Sequence, residues 1–206
     1  NRQEIYNLYA NRFTTTRPQV TFGEREQYLL LREGFTDETL LVDLKAEFEL
    51  ADTVTLTSVS SFINRDITVS RDASALTGSV SVDLGYPTAA VLLPSNLHDT
   101  TDLTTWGQEL RLGSTGSGPF QWVLGGFFSK IDRFYRQRLP TPGYDVFTDS
   151  TLGAGTSAAV ANGFPADSPY NADLPYDIKQ FAVFGEVSYD LTDRLSATAG
   201  ARYYDF

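Results

Sequence analysis

The chain has no cysteine and no methionine, one histidine, and only 16 Lys and Arg against 26 Asp and Glu. Lack of Cys excludes a disulfide framework, a thiolate zinc cluster and a thiol nucleophile, and with His98 as the sole imidazole a His-based metal site and a Ser-His-Asp triad go too. The formal net charge of -10, without any clustered basic run, argues against a nucleic-acid partner, because phosphates are held by grouped Lys and Arg. No apolar run approaches the roughly 20 residues of a transmembrane helix, and no charged-then-hydrophobic leader opens the chain. A chain that begins Asn1-Arg2-Gln3 without Met is expected to be a processed product or a part of a longer protein. One membrane class passes these filters, since a spanning β-strand needs only about 9 to 11 residues of alternating polarity.

Such alternation is what the chain does contain. From Thr39 to Glu49, Leu40, Val42, Leu44, Ala46 and Phe48 share one parity and Asp43, Lys45, Glu47 and Glu49 the other. A second strand follows Leu50-Ala51-Asp52 and runs from Thr53 to about Ser70; its apolar parity changes after Phe62, which predicts a bulge or departure from the buried zone. Residues 71–103 have no sustained period and read as loop, with a short strand possible only at Val80 to Leu84. Thr104 to Gly113 sets Trp106, Leu110 and Leu112 opposite Glu109 and Arg111. After the turn Ser114 to Pro119, Phe120, Trp122, Leu124, Gly126 and Phe128 share a face. A second long loop, 132–178, holds five Pro. Phe181, Val183, Val187 and Tyr189 then oppose Gln180, Glu186 and Ser188, and beyond Leu191 to Arg194 a last strand alternates Leu195, Ala197, Ala199, Ala201 and Tyr203 with polar or small residues.

Every second connection is short, so the fold class expected is all-β: antiparallel up-and-down strands of a large transmembrane barrel, with short periplasmic turns and long extracellular loops. Residues 1–38 then form an outward loop region and strand lead-in, 71–103 and 132–178 the long extracellular loops, and 1–206 one partial barrel domain. A soluble β-sandwich or adhesin is the competing reading, but arms longer than the usual 5 to 6 residues and the systematic loop asymmetry favour the barrel. Phe48, Phe120, Trp122 and Tyr189 fall near the short turns and Trp106, Phe128, Phe181 and Tyr203 toward the other interface, as aromatic girdles would. Leu50 to Thr57 resembles Leu191 to Thr198, a repeated turn type in which Asp52 and Asp193 are suited to accept a backbone amide.

Leu56 to Phe62, Gln108 to Leu112 followed by Trp122 to Phe128, and Phe181 to Tyr203 with Phe184-Gly185-Glu186-Val187-Ser188-Tyr189-Asp190-Leu191-Thr192-Asp193-Arg194-Leu195 together resemble a TonB-dependent outer-membrane receptor over about residues 39–206. The resemblance implies an active importer in the bacterial outer membrane: a 22-stranded barrel plugged from within, in contact with membrane lipid, energised by TonB and taking a nutrient such as an iron chelate. Nothing in the chain matches the plug or the TonB box, so the part it resembles is central barrel. A passive porin would share the barrel without the plug.

Candidate sites follow from the faces. Asp43, Lys45, Glu47, Glu109, Arg111, Glu186 and Arg202 are inward-facing, where they hydrate the lumen, contact the plug or pair across strands. In the second loop Arg133, Tyr135, Arg136, Arg138, Tyr144, Tyr170 and Tyr176 combine guanidinium forks for carboxylates or catecholates with rings that stack on planar ligands. Asp145, Asp149, Asp167, Asp173 and Asp177 match no calcium-loop spacing, His98 reads as an exposed spectator, and Gly153-Ala154-Gly155 with Asp173 mimics a dinucleotide fingerprint without the strand it requires. No catalytic residue, metal or cofactor is expected.

Overall fold

The computed structural model describes residues 29–206. Among them, six strands form one antiparallel sheet in sequence order: β1 (Gly34–Ala51), β2 (Val54–Asp72), β3 (Asn96–Ser114), β4 (Phe120–Arg138), β5 (Asn171–Thr192) and β6 (Leu195–Asp205). Hairpins of neighbouring strands explain the strict order, since antiparallel pairs need only a tight turn. The chain divides into two compact units: one of residues 38–66, 102–134 and 175–206, with the short turns, and one of 29–37, 67–101 and 135–174, with the long connections.

The sheet unit has two chemically different faces, fixed by pleat and register. On β5 and β6, Val183 pairs with Tyr203, Gly185 with Ala201, Val187 with Ala199 and Tyr189 with Ala197. Paired residues share a face, so one side of this hairpin is apolar, while Phe184 with Arg202, Glu186 with Gly200 and Ser188 with Thr198 make the other. The same parity extends to β3 and β4, where the Trp106 and Phe128 rings meet at 5.8 Å on the apolar side. That side stays open: Leu44, Phe48, Phe120, Leu124 and Tyr203 are all more than half exposed. An apolar face turned outward on both ends of the sheet is the pattern of strands solvated by hydrocarbon.

Polar groups on that face are satisfied among themselves. Ser60 Oγ donates to Gln108 Oε1 at 2.6 Å, Gln108 Nε2 to Ser58 Oγ at 3.0 Å, and Asn64 pairs with Thr104. Without water nearby, each unpaired group would keep its full desolvation cost.

The short turns are also tied together. Asp52-Thr53 joins β1 to β2, Thr53 accepts the Thr115 amide at 2.9 Å, and Gln121 Nε2 donates to the carbonyls of Gly116 and Gly118 inside the β3–β4 turn. At the β5–β6 turn the expected Asp193 role falls to Thr192, whose hydroxyl accepts the Arg194 amide at 3.3 Å.

The long connections depart from the expectation of plain loop. The first carries α1 (Ser74–Asp83) and α2 (Thr88–Val91), and β3 begins at Asn96, which puts His98 in a strand. Helix, not strand, therefore occupies Val80 to Asp83. The second carries α3 (Tyr144–Leu152) and α4 (Thr156–Ala161), with β4 and β5 reaching further into it than the alternation suggested. The helical period was hidden because α1 is inverted: Ser74, Thr77, Gly78 and Ser81 are buried while Leu76, Val80 and Leu84 are exposed. Of the loop region and strand lead-in expected over 1–38, residues 1–28 lie outside the described residues and β1 already begins at Gly34.

Replacing Gln108 by Leu in the whole receptor should strand Ser58 and Ser60 and lower folding stability into lipid by about 1–3 kcal/mol. Ser58→Ala, Ser60→Ala and Gln108→Leu together should come within about 1 kcal/mol of wild type in the same denaturant titration, because no donor is then left unpaired.

Candidate functional site

In the sheet unit, the inward parity carries the residues expected to line a lumen. Arg111 and Glu109, two apart on β3, form an ion pair with each other, and Lys45 pairs with Glu47 at 2.9 Å in the same i, i+2 manner on β1. Neither pair crosses strands. Arg202 instead stacks: its guanidinium carbon lies 5.6 Å from the Phe184 ring centroid and 6.0 Å from that of Phe127. Higher on the same parity, Arg133 lies over the Tyr176 ring at 5.4 Å. Opposite them, on the outward parity, Lys130 pairs with Asp132 at 2.9 Å and reaches Asp177 at 3.9 Å.

In the other unit, the long connections build a small folded body of their own. Its core is Tyr86, Ala90 and Tyr144, with Leu93 and Phe147 against it, and the Tyr86 and Tyr144 rings are 5.4 Å apart. The two hydroxyls bind crosswise between the loops: Ser81 Oγ and Tyr144 Oη are 3.1 Å apart, and Tyr86 Oη donates to Thr148 Oγ1 at 3.0 Å. Buried Ser95 and Thr141 share a hydrogen bond of 2.7 Å, and Asn96 donates its amide to Pro140 at 3.1 Å. Gly78 lets α1 approach α2 closely, since a Cβ there would stand 2.8 Å from the Val91 carbonyl oxygen. Gly143, at φ 87°, opens α3 in a conformation that suits glycine.

This body absorbs several residues that the sequence offers to a ligand. Tyr144, at 4 % exposure, is a core residue, and burial raises its phenol pKa. Arg138 is committed to the loop root: Asp173 at 2.6 Å, the Ala172 carbonyl at 3.0 Å and the Phe164 ring at 4.7 Å. Tyr170, half exposed, donates to Gln137 at 3.3 Å. Tyr135 and Arg136 are half-buried along β4. The structure thus brings Arg133 to Tyr176, places Tyr144 in the core and bonds Arg138 at the loop root.

The aspartates likewise have structural work. Asp145 and Asp167 accept each other's backbone amides at 3.0 and 2.9 Å. Asp149 accepts the Ser157 amide at 2.8 Å, and these amide bonds hold its carboxyl below the usual range. Among the described residues no three His, Cys, Asp or Glu gather as a metal site. The Gly153-Ala154-Gly155 run links α3 to α4, so helix rather than strand precedes it.

Sequence reasoning missed Asp72 and Asp99. Asp72 accepts the amides of Leu30 and Leu31 and both the amide and hydroxyl of Ser74, fixing the foot of α1. Buried Asp99 pairs with Arg71 and accepts Gln137 Nε2 at 2.9 Å. Only the Asp72–Ser74 contact is local; Leu30 and Leu31 lie 42 and 41 residues from Asp72, and the partners of Asp99 lie on β2 and β4.

The model of the TonB-dependent receptor-like β-barrel matches residues 2–206. The chain belongs to that family. It is a part of a bacterial outer-membrane barrel, and the family is one of receptors and transporters rather than enzymes. No curated protein matches the chain. In such a barrel the apolar parity suits contact with lipid and the polar parity suits the interior.

Two tests follow for the loop body of the receptor. Tyr144→Ala should cost about 3–5 kcal/mol of local stability and Tyr144→Phe about 0.5–1.5, read as hydrogen-exchange protection of α1 and α3. Because its folded pKa is lowered, Asp149 should contribute stability above the unfolded carboxylate range and lose it as pH falls through the folded value. The protection factor of the Ser157 amide, its rate referred to the intrinsic rate at each pH, should therefore fall in acid in wild type and show a flatter profile in Asp149→Asn.

Proposed function

We propose that the protein binds a scarce nutrient at the cell surface and passes it inward in a step energised by TonB, with an anionic iron chelate such as a ferric siderophore as cargo. Beyond family membership, the observation that carries this reading is Arg133 stacked on Tyr176 on the inward parity, near the long-connection ends of β4 and β5. A guanidinium fork offers paired donors to carboxylate or catecholate oxygens, and an adjoining ring offers a face to a planar ligand group. Tyr135, Arg136 and Tyr170 are further candidates in the loop-end unit; Tyr144 and Arg138 support the fold that holds them. Glu109, Arg111, Glu186 and Arg202 face the interior and the plug.

A deletion strain should fail to grow on at least one ferric chelate in a panel that also includes cobalamin and glycans, and should regain uptake with the intact receptor. Arg133→Ala and Tyr176→Ala should each weaken binding of that chelate about tenfold, or roughly 1.4 kcal/mol. Normal growth and uptake on every chelate would overturn the reading.

A further inference from the structure

One Asn in the chain is followed by Gly, at Asn162-Gly163, and the fold leaves that pair open. Asn162 ends α4 in the left-handed region at φ 48°, and Gly163 follows at φ 84°. Asn tolerates that region and Gly adopts it freely, so together they stop the helix. Both are exposed, and nothing lies within 4 Å of where a Gly163 Cβ would be. Among the described residues none bonds the Asn162 carboxamide or the Gly163 amide. The other described Asn side chains are engaged: Asn64 donates to Thr104, Asn96 accepts Ser70 Oγ, and Asn171 is bonded twice to Ser168. Each of these also precedes a residue with a Cβ, namely Arg65, Leu97 and Ala172.

We infer that Asn162 is a site of spontaneous deamidation, which makes the second long connection change with the age of the protein. The Gly163 nitrogen gives up its proton and attacks Asn162 Cγ. The new N–Cγ bond closes a five-membered imide while the Cγ–Nδ2 bond breaks, and the amide nitrogen leaves as ammonia carrying that proton. Water then opens the imide: cleavage of the N–Cγ bond yields Asp, and cleavage of the original peptide bond yields isoaspartate, whose main chain runs through the side-chain methylene. Gly163 favours ring closure because a peptide without a neighbouring Cβ swings toward Cγ unhindered.

The site matters to the loop body. Either product puts a carboxylate at the C-terminus of α4, the unfavourable end of the helix dipole. Isoaspartate also lengthens the span across which the Phe164 amide donates to the Ala161 carbonyl at 2.9 Å, and the Phe164 ring lies against Arg138 at 4.7 Å. Through Arg138, bonded to Asp173 and to the Ala172 carbonyl, the change reaches the start of β5.

The test ages the purified whole receptor in mildly alkaline buffer and maps its peptides by mass spectrometry, with isoaspartyl methyltransferase counting isoaspartate. Isoaspartate should accumulate at 162 ahead of 64, 96 and 171, and the Phe164 amide should lose hydrogen-exchange protection in step with it, by about tenfold for one lost hydrogen bond. Asn162→Gly, which keeps the left-handed turn, should abolish both changes, and Asn162→Gln should abolish the isoaspartate. An unaltered 162 peptide in the aged receptor, faster reaction at Asn64, Asn96 or Asn171, or equal loss of Phe164 protection in aged Asn162→Gly would each overturn the inference.

Discussion

The structure depends on one constraint, that each strand separates hydrocarbon from a polar interior while leaving no backbone group unpaired. In lipid an unsatisfied amide or carbonyl finds no water, so only strands closed by neighbours on both sides are tolerable. Antiparallel pairing in sequence order meets the backbone demand for β2 to β5, while β1 and β6 have one neighbour each among the described residues, and the pleat then sorts side chains by parity. From this come the exposed Val183, Val187, Tyr189 and Tyr203 on one side and Arg202 and Glu186 on the other. It also explains why Ser58, Ser60 and Gln108, on the outward side, are bonded to one another.

The loop-end unit obeys the opposite rule. Its interior is rich in hydroxyls, with Ser74, Thr77, Ser81, Ser95, Thr141, Thr148 and Ser157 buried, while Leu76, Val80, Val146 and Val160 are exposed. Such an interior gains little from hydrophobic burial and relies on directed bonds: Ser95 to Thr141, Tyr86 to Thr148, and Asp72 to the foot of α1. Directed bonds between two connections far apart in sequence make them one cooperative body, in which a change in one is felt in the other.

That difference decides what could be read from the sequence. Strand faces were legible because lipid imposes a period of two over many residues: Leu40 to Phe48, Phe120 to Phe128 and Phe181 to Tyr189 all show it. The short turns were legible in position, though the hydroxyl of Thr192 does what Asp193 was expected to do. The helices were not, since α1 turns its small polar residues inward and no apolar stripe marks its buried face. The ligand candidates were chosen by residue type, and type says nothing of burial; Tyr144 looked like Tyr176 until Tyr86 and Phe147 closed around it. Arg133 and Tyr176 could have been paired from sequence only with the β4–β5 register in hand.

The central claim is that alternate residues of these strands face lipid, and the lack of Cys in this chain suits it to site-directed labelling. Single-cysteine nitroxide labels at successive positions from Phe181 to Tyr189, in the whole receptor reconstituted in lipid, report collision rates with oxygen and with a water-soluble relaxant. The account predicts a period-two alternation, with oxygen favoured at 181, 183, 185, 187 and 189 and the water-soluble relaxant at 184, 186 and 188. Equal access of the water-soluble relaxant to both parities, or the reverse phase, would contradict it.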